Sequence, residues 1–126
     1  MIAYSTIGTN DLEKAKAFYS ALFAEFGLKE LFQRPDGGYV AYGTEMGKPM
    51  FGICKPWNGE AADPGNGNMV AIAAKNGAQV KAMYDKAISL GATCEGKPGE
   101  RLNGMLSCGY VRDLDGNKLN FFCMGS

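Results

Sequence analysis

The sequence contains no histidine, and this absence excludes a large part of enzyme chemistry. Histidine is the commonest metal ligand in proteins and the commonest general base near neutral pH. Without it, the chain has no Ser-His or Cys-His nucleophile arrangement. The lack of histidine is therefore the most informative feature of the composition.

The chain also lacks an excess of charge, because 13 Lys and Arg residues balance 13 Asp and Glu residues. No run of like charge is long enough to neutralise a nucleic-acid backbone or to bind anionic lipid. No segment approaches the ~20 apolar residues that span a bilayer, and the N-terminus has no signal-peptide pattern. We therefore expect a cytoplasmic protein that binds neither nucleic acid nor membrane.

Cysteine is sparse and shows no paired spacing. Cys54, Cys94, Cys108 and Cys123 stand far apart, in a chain of 126 residues that is long enough to fold without disulfides. We expect reduced thiols, most of them buried as small apolar groups. A two-thiol metal site of Cys54 and Cys123, which occupy matched strand ends, is the alternative.

What the sequence does contain is an internal repeat. A helix is predicted after residues 2–8, with Asn10 as its cap and Glu13 reaching back to the Asn10 amide. Its apolar residues recur at three-and-four spacing, and Gly27 is placed to end it. The predicted buried stripe is Leu12, Ala15, Phe18, Tyr19, Leu22, Phe23 and Phe26. Three strands are predicted to follow, over residues 29–33, 39–44 and 49–54.

The same order begins again after a Pro-, Gly- and Asn-rich linker. The second module has a strand over residues 69–74, a helix ending before Gly91, and strands near 93–94, 105–112 and 118–123. The repeat aligns residues 47–54 with residues 116–123.

We therefore predict an α+β fold, with two βαβββ modules in tandem that form a curved mixed sheet and a cleft. Residues 1–126 are expected to form a single domain. Its modules span approximately residues 1–54 and 68–126, and its linker spans residues 55–67.

Two motifs accompany the repeat. Asn10–Leu12 and Ala17–Tyr19 form the first, and the second is Val111–Asn117, with the sequence VRDLDGN. In this arrangement they resemble the vicinal-oxygen-chelate superfamily of glyoxalases, bleomycin resistance proteins and extradiol dioxygenases. The resemblance covers essentially the whole chain and implies a homodimer, with modules paired within one chain or across two. Neither motif carries chemistry. In the second motif, Asp115, Gly116 and Asn117 are residues typical of a tight hairpin.

In metal-dependent members of this superfamily, two His and one or two Glu hold a divalent ion. The resemblance carries these positions over to Tyr4, Met69 and Asn120, and the internal repeat adds Phe51 as the counterpart of Asn120. Phenylalanine donates nothing, a thioether is soft and neutral, and an amide oxygen is a weak ligand. We therefore expect no metal and no cofactor, and we transfer the fold without the activity.

Two interpretations of these positions remain open. Either they fill the former metal cavity as core, or they line a pocket in which Asn120 and Tyr4 orient a small apolar or flat aromatic ligand. Trp57 is then a lid or an interface anchor. Arg34 and Arg101, which precede turns in corresponding halves, either pair with an anionic ligand or lie solvated on the surface.

The leading hypothesis is a metal-independent protein that sequesters a small apolar or aromatic molecule in the cleft. The rival is an enzyme, either a metal-free isomerase or lyase using Tyr4 or a buried carboxylate, or a glyoxalase-type lyase with other ligands. A carboxylate of raised pKa in the cleft would favour the enzyme. A third hypothesis is a protein whose cleft is filled by side chains and that acts through protein contacts near Trp57 and Met46.

Overall fold

The order of strands and helices is βαβββ, repeated once along the chain. The computed structural model describes residues 1–126, which divide into two units, Met1–Pro64 and Gly65–Ser126. Each unit contains one four-stranded mixed sheet and one helix. This confirms the predicted α+β fold with two tandem modules, and the boundary between the units falls inside the predicted linker.

The first unit builds its sheet in the order β1-β4-β3-β2. Strand β1 is parallel to β4, and the other neighbours are antiparallel. The elements are β1 (Tyr4–Gly8), α1 (Leu12–Ala24), β2 (Lys29–Gln33), β3 (Tyr39–Gly43) and β4 (Met50–Cys54).

The sequence predicts Asn10 as the cap of helix α1, but in the structure Asp11 caps it. The Asp11 carboxylate accepts a hydrogen bond from the Lys14 amide at 3.1 Å. Asn10 instead holds a distant loop, because its Oδ1 accepts from the Ala62 amide at 2.7 Å and its Nδ2 donates to the Ala62 carbonyl at 3.3 Å. Both residue types satisfy free amides, so only the tertiary contact separates their roles.

The apolar stripe of α1 packs on one face of the first sheet. The Phe51 ring centroid lies 5.0 Å from that of Tyr19 and 5.7 Å from that of Phe23. Tyr42 approaches Phe23 at 5.4 Å between centroids. The predicted stripe is buried as expected, except that Phe26 follows the helix and is half-buried. We call this surface of the sheet its helix face and the opposite surface its open face.

The second unit repeats the arrangement in the order β5-β8-β7-β6, with β5 parallel to β8. Both helices span 13 residues, and neither is long and apolar enough to cross a lipid bilayer. The elements are β5 (Val70–Ala73), α2 (Gly77–Ser89), β6 (Thr93–Arg101), β7 (Leu106–Arg112) and β8 (Lys118–Met124).

Strand β6 is much longer than the two residues that the sequence predicted. It pairs with β7 from Thr93 to Arg101, with irregularities between Cys94 and Gly99. The sequence does not indicate this strand because it contains Gly96, Pro98 and Gly99, and glycine and proline are unfavourable inside strands. An edge strand tolerates both, and β6 lies at the sheet edge.

The VRDLDGN motif forms the β7-β8 hairpin. Asp113 Oδ1 accepts from the amides of Asp115 and Asn117, each at 2.9 Å. Gly116 has a φ of 87°, which glycine adopts without strain. The motif therefore has the structural role expected from its residue types.

All four cysteines are free thiols. Cys108 and Cys123 are buried, Cys54 is half-buried and Cys94 is exposed, so only half of the thiols are buried, whereas the sequence predicts that most are. Cys54 lies on the open face of its sheet, whereas Cys123 pairs with Ser107 on the side of the second sheet that carries α2.

Candidate functional site

The open face of the first sheet carries a pocket of about 520 Å³. This volume lies in the range of small-molecule binding sites. Strand side chains form part of the lining, and the segments that follow β2, β3 and β4 supply the rest. The lining residues, all from the first unit, are Tyr4, Thr6, Phe32, Arg34, Tyr39, Met46, Met50, Cys54, Lys55 and Trp57.

Strand alternation explains which side chains reach the pocket. Neighbouring residues along a strand point to opposite faces, and partners across two strands share a face. Tyr4 pairs with Met50, and Tyr39 pairs with Cys54. Because Phe51 faces α1, these pairs face away from the helix.

Tyr39 lies directly over Gly52 of the neighbouring strand. A Cβ added to Gly52 would lie 2.6 Å from both Cε2 and Oη of the Tyr39 ring. Phe32 contributes a second ring, whose centroid is 6.2 Å from that of Tyr39. The missing side chain at position 52 thus allows an aromatic surface to form on the open face.

Arg34 is positioned at the pocket by three neighbours. Its Nε donates to Asp36 Oδ1 at 2.7 Å, and its guanidinium carbon lies 5.3 Å from the centroid of the Trp57 ring. A Cβ on Gly38 would come within 2.6 Å of Arg34 Nη2, so the guanidinium lies close against the Gly38 backbone. The hydrogen bond from Arg34 is the main reason why the pKa of Asp36 lies below its usual value.

Two titratable groups of the lining, the Tyr39 phenol and the Cys54 thiol, have raised pKa values. Burial raises the pKa of Tyr39, and the neighbouring Tyr4 and Cys54 raise it further. Burial also raises the pKa of the Cys54 thiol, with a smaller opposing effect from Arg34. Neither group therefore supplies an anion near neutral pH, and the lining contains no Asp or Glu.

Three of the predicted binding residues come together in this pocket: Tyr4, Arg34 and Trp57. Tyr4 is 57% exposed and Trp57 is 87% exposed. Phe51 does not line the pocket, because it is 6% exposed and packs against α1.

The other predicted binding residues belong to the second unit. Met69 immediately precedes β5 and is 45% exposed. Arg101 ends β6, with its guanidinium carbon 5.9 Å from the centroid of the Tyr110 ring. Asn120 is 4% exposed, and its Oδ1 is buried without a hydrogen-bond partner.

The repeat alignment of Phe51 with Asn120 is wrong by one residue. Gly109 approaches Tyr84 of α2, so Tyr110 and its partner Asn120 lie on the open face of the second sheet. Phe51 lies on the helix face of the first sheet. When Tyr4 is aligned with Met69, the strand pairings of the two sheets align Gly52 with Asn120.

The residues at the implied metal-ligand positions do not suit a divalent ion. In the first unit they are a phenol at Tyr4 and either Phe51 or Gly52, and in the second unit they are the thioether of Met69 and the amide of Asn120. Such donors are weak or absent. Neither unit contains a group of three or more Cys, Asp or Glu residues that could hold a metal ion.

Sequence reasoning missed much of the pocket. Met50 and Cys54 were recognisable, because they alternate with the buried Phe51 and Ile53 along β4. Tyr39 was recognisable for a similar reason, because it directly precedes the buried residues of β3. Lys55 had no such signal, because it lies beyond the strand and alternation does not extend into loops.

Comparisons with known proteins agree with this architecture. A family model described as Glyoxalase/Bleomycin resistance protein/Dioxygenase superfamily matches residues 1–121. A solved glyoxalase/bleomycin resistance protein from Albidiferax ferrireducens T118 is 35% identical, with a TM-score of 0.86 over 97% of each chain. The search of curated proteins gives no match.

Two more distant structures share the fold. A lactoylglutathione lyase from Agrobacterium tumefaciens is 24% identical, with a TM-score of 0.70 over 97% of this chain and 92% of that chain. A glyoxalase-related enzyme from Fulvimarina pelagi is 20% identical, with a TM-score of 0.75 over 100% of this chain and 95% of that chain.

Proposed function

The chain belongs to the glyoxalase/bleomycin resistance protein/dioxygenase superfamily, and we propose that it binds a small apolar or aromatic molecule without a metal ion. The observation that carries this proposal is the pocket of the first unit, which is lined largely by aromatic and thioether side chains. Such a lining provides burial and stacking for a flat ligand.

The affinity would come mainly from buried apolar surface. Burying about 200 Å² of ligand surface contributes roughly 5 kcal/mol before the cost of association is subtracted. Tyr4 adds a phenol that orients a polar substituent. We therefore expect micromolar or weaker binding for a simple two-ring compound, and tighter binding for the natural ligand.

The electrostatics of the pocket support binding in preference to turnover. Proton abstraction near neutral pH needs a base, and the pKa values of Tyr39 and Cys54 are both raised. No carboxylate lines the pocket to replace them. The feature that would favour an isomerase or lyase, a carboxylate of raised pKa, is missing from this lining.

A titration with N-phenyl-1-naphthylamine tests the proposal. This uncharged dye becomes strongly fluorescent when it enters an apolar site. We expect a saturable signal with the same Kd with and without EDTA. Absence of saturable binding would sink the proposal, and binding that EDTA abolishes and a divalent metal restores would favour the metal-dependent lyase.

Two matched variants localise the dye. Tyr4→Ser removes an exposed ring from the pocket and is expected to weaken dye binding severalfold. Met105→Ser removes a 60% exposed apolar side chain of the second unit that does not line this pocket, and is expected to leave the Kd unchanged. Equal effects of the two substitutions would place the dye elsewhere.

A further inference from the structure

We propose that the pocket of the first unit selects aromatic anions, with Arg34 and Lys55 receiving the negatively charged group. This inference rests on the proposed binding function and adds the chemical class of its ligand. Arg34 and Lys55 are the only charged residues in the lining, and both are cationic. A ligand in this pocket therefore meets an apolar surface bordered by positive charge.

Arg34 retains donors for a ligand. Its hydrogen bond to Asp36 uses Nε, and no hydrogen bond of the structure uses its two terminal nitrogens. Asp36 and the Trp57 ring hold the guanidinium in place, which lowers the entropy lost when a ligand binds. A planar carboxylate or a sulfonate matches the pair of terminal nitrogens.

Lys55 brings a second positive charge to the same side. Its backbone amide donates to the Gly38 carbonyl at 3.0 Å, which joins the end of β4 to the turn that follows Arg34. Lys55 forms no ion pair, and its charge contributes to lowering the pKa of Asp36. Arg34 pairs with Asp36 and Lys55 stays unpaired, so these three residues together carry a net positive charge.

The apolar part of the lining determines which uncharged portion of a ligand fits the pocket. Tyr4, Tyr39 and Phe32 present rings, and Met46 and Met50 present thioethers that adapt to different shapes. A ligand with one anionic group on a flat ring system satisfies both parts of the pocket. A cationic ligand would face two like charges without an acidic partner in the lining.

Calorimetric titration with three probes of the same ring system tests the charge preference. The probes are 2-naphthoate, 2-naphthalenemethanol and 2-naphthylmethylammonium, at neutral pH and low salt. We expect 2-naphthoate to bind about tenfold more tightly than the alcohol, and the ammonium compound to bind most weakly. The preference should shrink in high salt, because both cations are partly exposed.

Charge-removing variants assign the preference to these residues. In Arg34→Met and in Lys55→Met, the ratio of the alcohol Kd to the naphthoate Kd is expected to fall severalfold, and in the double variant it should approach one. Lys14→Met removes an exposed charge from α1, on the helix-face side of the sheet, and should keep the wild-type ratio. Circular dichroism checks that each variant is folded.

The outcomes separate the two proposals. Equal binding of the three probes, or a ratio that survives in the double variant, overturns the anion preference and leaves the binding function standing. Failure of all three probes and of the uncharged dye overturns the binding function, and the preference with it. Tightest binding of the ammonium probe overturns the preference directly.

Discussion

The ring of Tyr39 covers the Cα of Gly52, and this contact positions one of the rings that line the pocket. An added Cβ would come within 2.6 Å of the ring. The contact joins β3 to β4 on the open face, at the position that corresponds to Asn120 in the second unit. A side chain at position 52 and the ring at position 39 therefore exclude each other.

The first prediction concerns Gly52→Ala. The methyl group forces Tyr39 out of its position, so we expect the free energy of unfolding to fall by about 1–3 kcal/mol and dye binding to weaken. Urea unfolding and dye titration measure the two effects. Gly99→Ala is the control, because its Cβ meets only the Arg101 side chain, at 3.3 Å. Two equally mild substitutions would contradict the proposed contact.

The second prediction concerns the buried amide of Asn120. Its Oδ1 has no hydrogen-bond partner, and an unsatisfied buried acceptor carries a desolvation cost. Asn120→Leu has a similar shape and removes that cost, so we expect the free energy of unfolding to rise by about 1 kcal/mol.

Asn117→Leu provides a control of opposite sign. Asn117 Nδ2 donates to Asp113 Oδ2 at 3.2 Å, and this substitution breaks a satisfied buried pair. We expect it to destabilise the protein in the same urea experiment. A loss of stability in Asn120→Leu as large as in Asn117→Leu would show that Asn120 has a partner in solution.

The third prediction concerns alkaline pH. Burial raises the pKa of Tyr42 above its ordinary value of 10.0, although its hydrogen bond with Ser20 opposes the shift. The unfolded chain loses this proton first, so the stabilising contribution is complete below the unfolded pKa and is lost as pH rises towards the folded pKa. Tm should therefore fall as the pH rises above about 10.

Tyr42→Phe removes this titration and should flatten the alkaline fall in Tm, even if it lowers Tm at neutral pH. Tyr4→Phe removes an exposed phenol and serves as the control, with a fall like that of the wild type. Identical slopes for all three proteins would mean that Tyr42 does not contribute to the alkaline transition.

The fourth prediction concerns the start of α1. Asp11→Ala removes the cap and should lower the free energy of unfolding by about 1 kcal/mol. Glu13→Ala should cost much less, because Glu13 does not close a capping box in the structure. A loss in Glu13→Ala equal to that in Asp11→Ala would support the cap at Asn10 that the sequence suggested.

Much of the fold was predictable because it depends on local patterns. The three-and-four spacing of apolar residues located α1, and the repeated order of elements located the second module. Strand β2 was predicted with its observed ends, Lys29–Gln33. The full length of strand β6 was not predicted, because Gly96 and Pro98 are unfavourable inside strands. Only its pairing with β7 shows where the strand runs.

The site was less predictable, since side-chain direction in a strand changes with every residue. A shift of one position moves a side chain from one face of the sheet to the other. The sequence alignment of the two modules made that shift at Phe51, and only the packing of this ring on Tyr19 and Phe23 revealed it.

The sequence by itself determined the two βαβββ modules, the buried stripe of α1 and the lack of strong metal ligands at the family's positions, because composition and periodicity are local properties. The tertiary structure decided which residues share the pocket. Arg34, Lys55 and Trp57 meet there because of contacts between separate turns, such as the hydrogen bond from Lys55 to Gly38. Such contacts form only when the sheet brings the turns together.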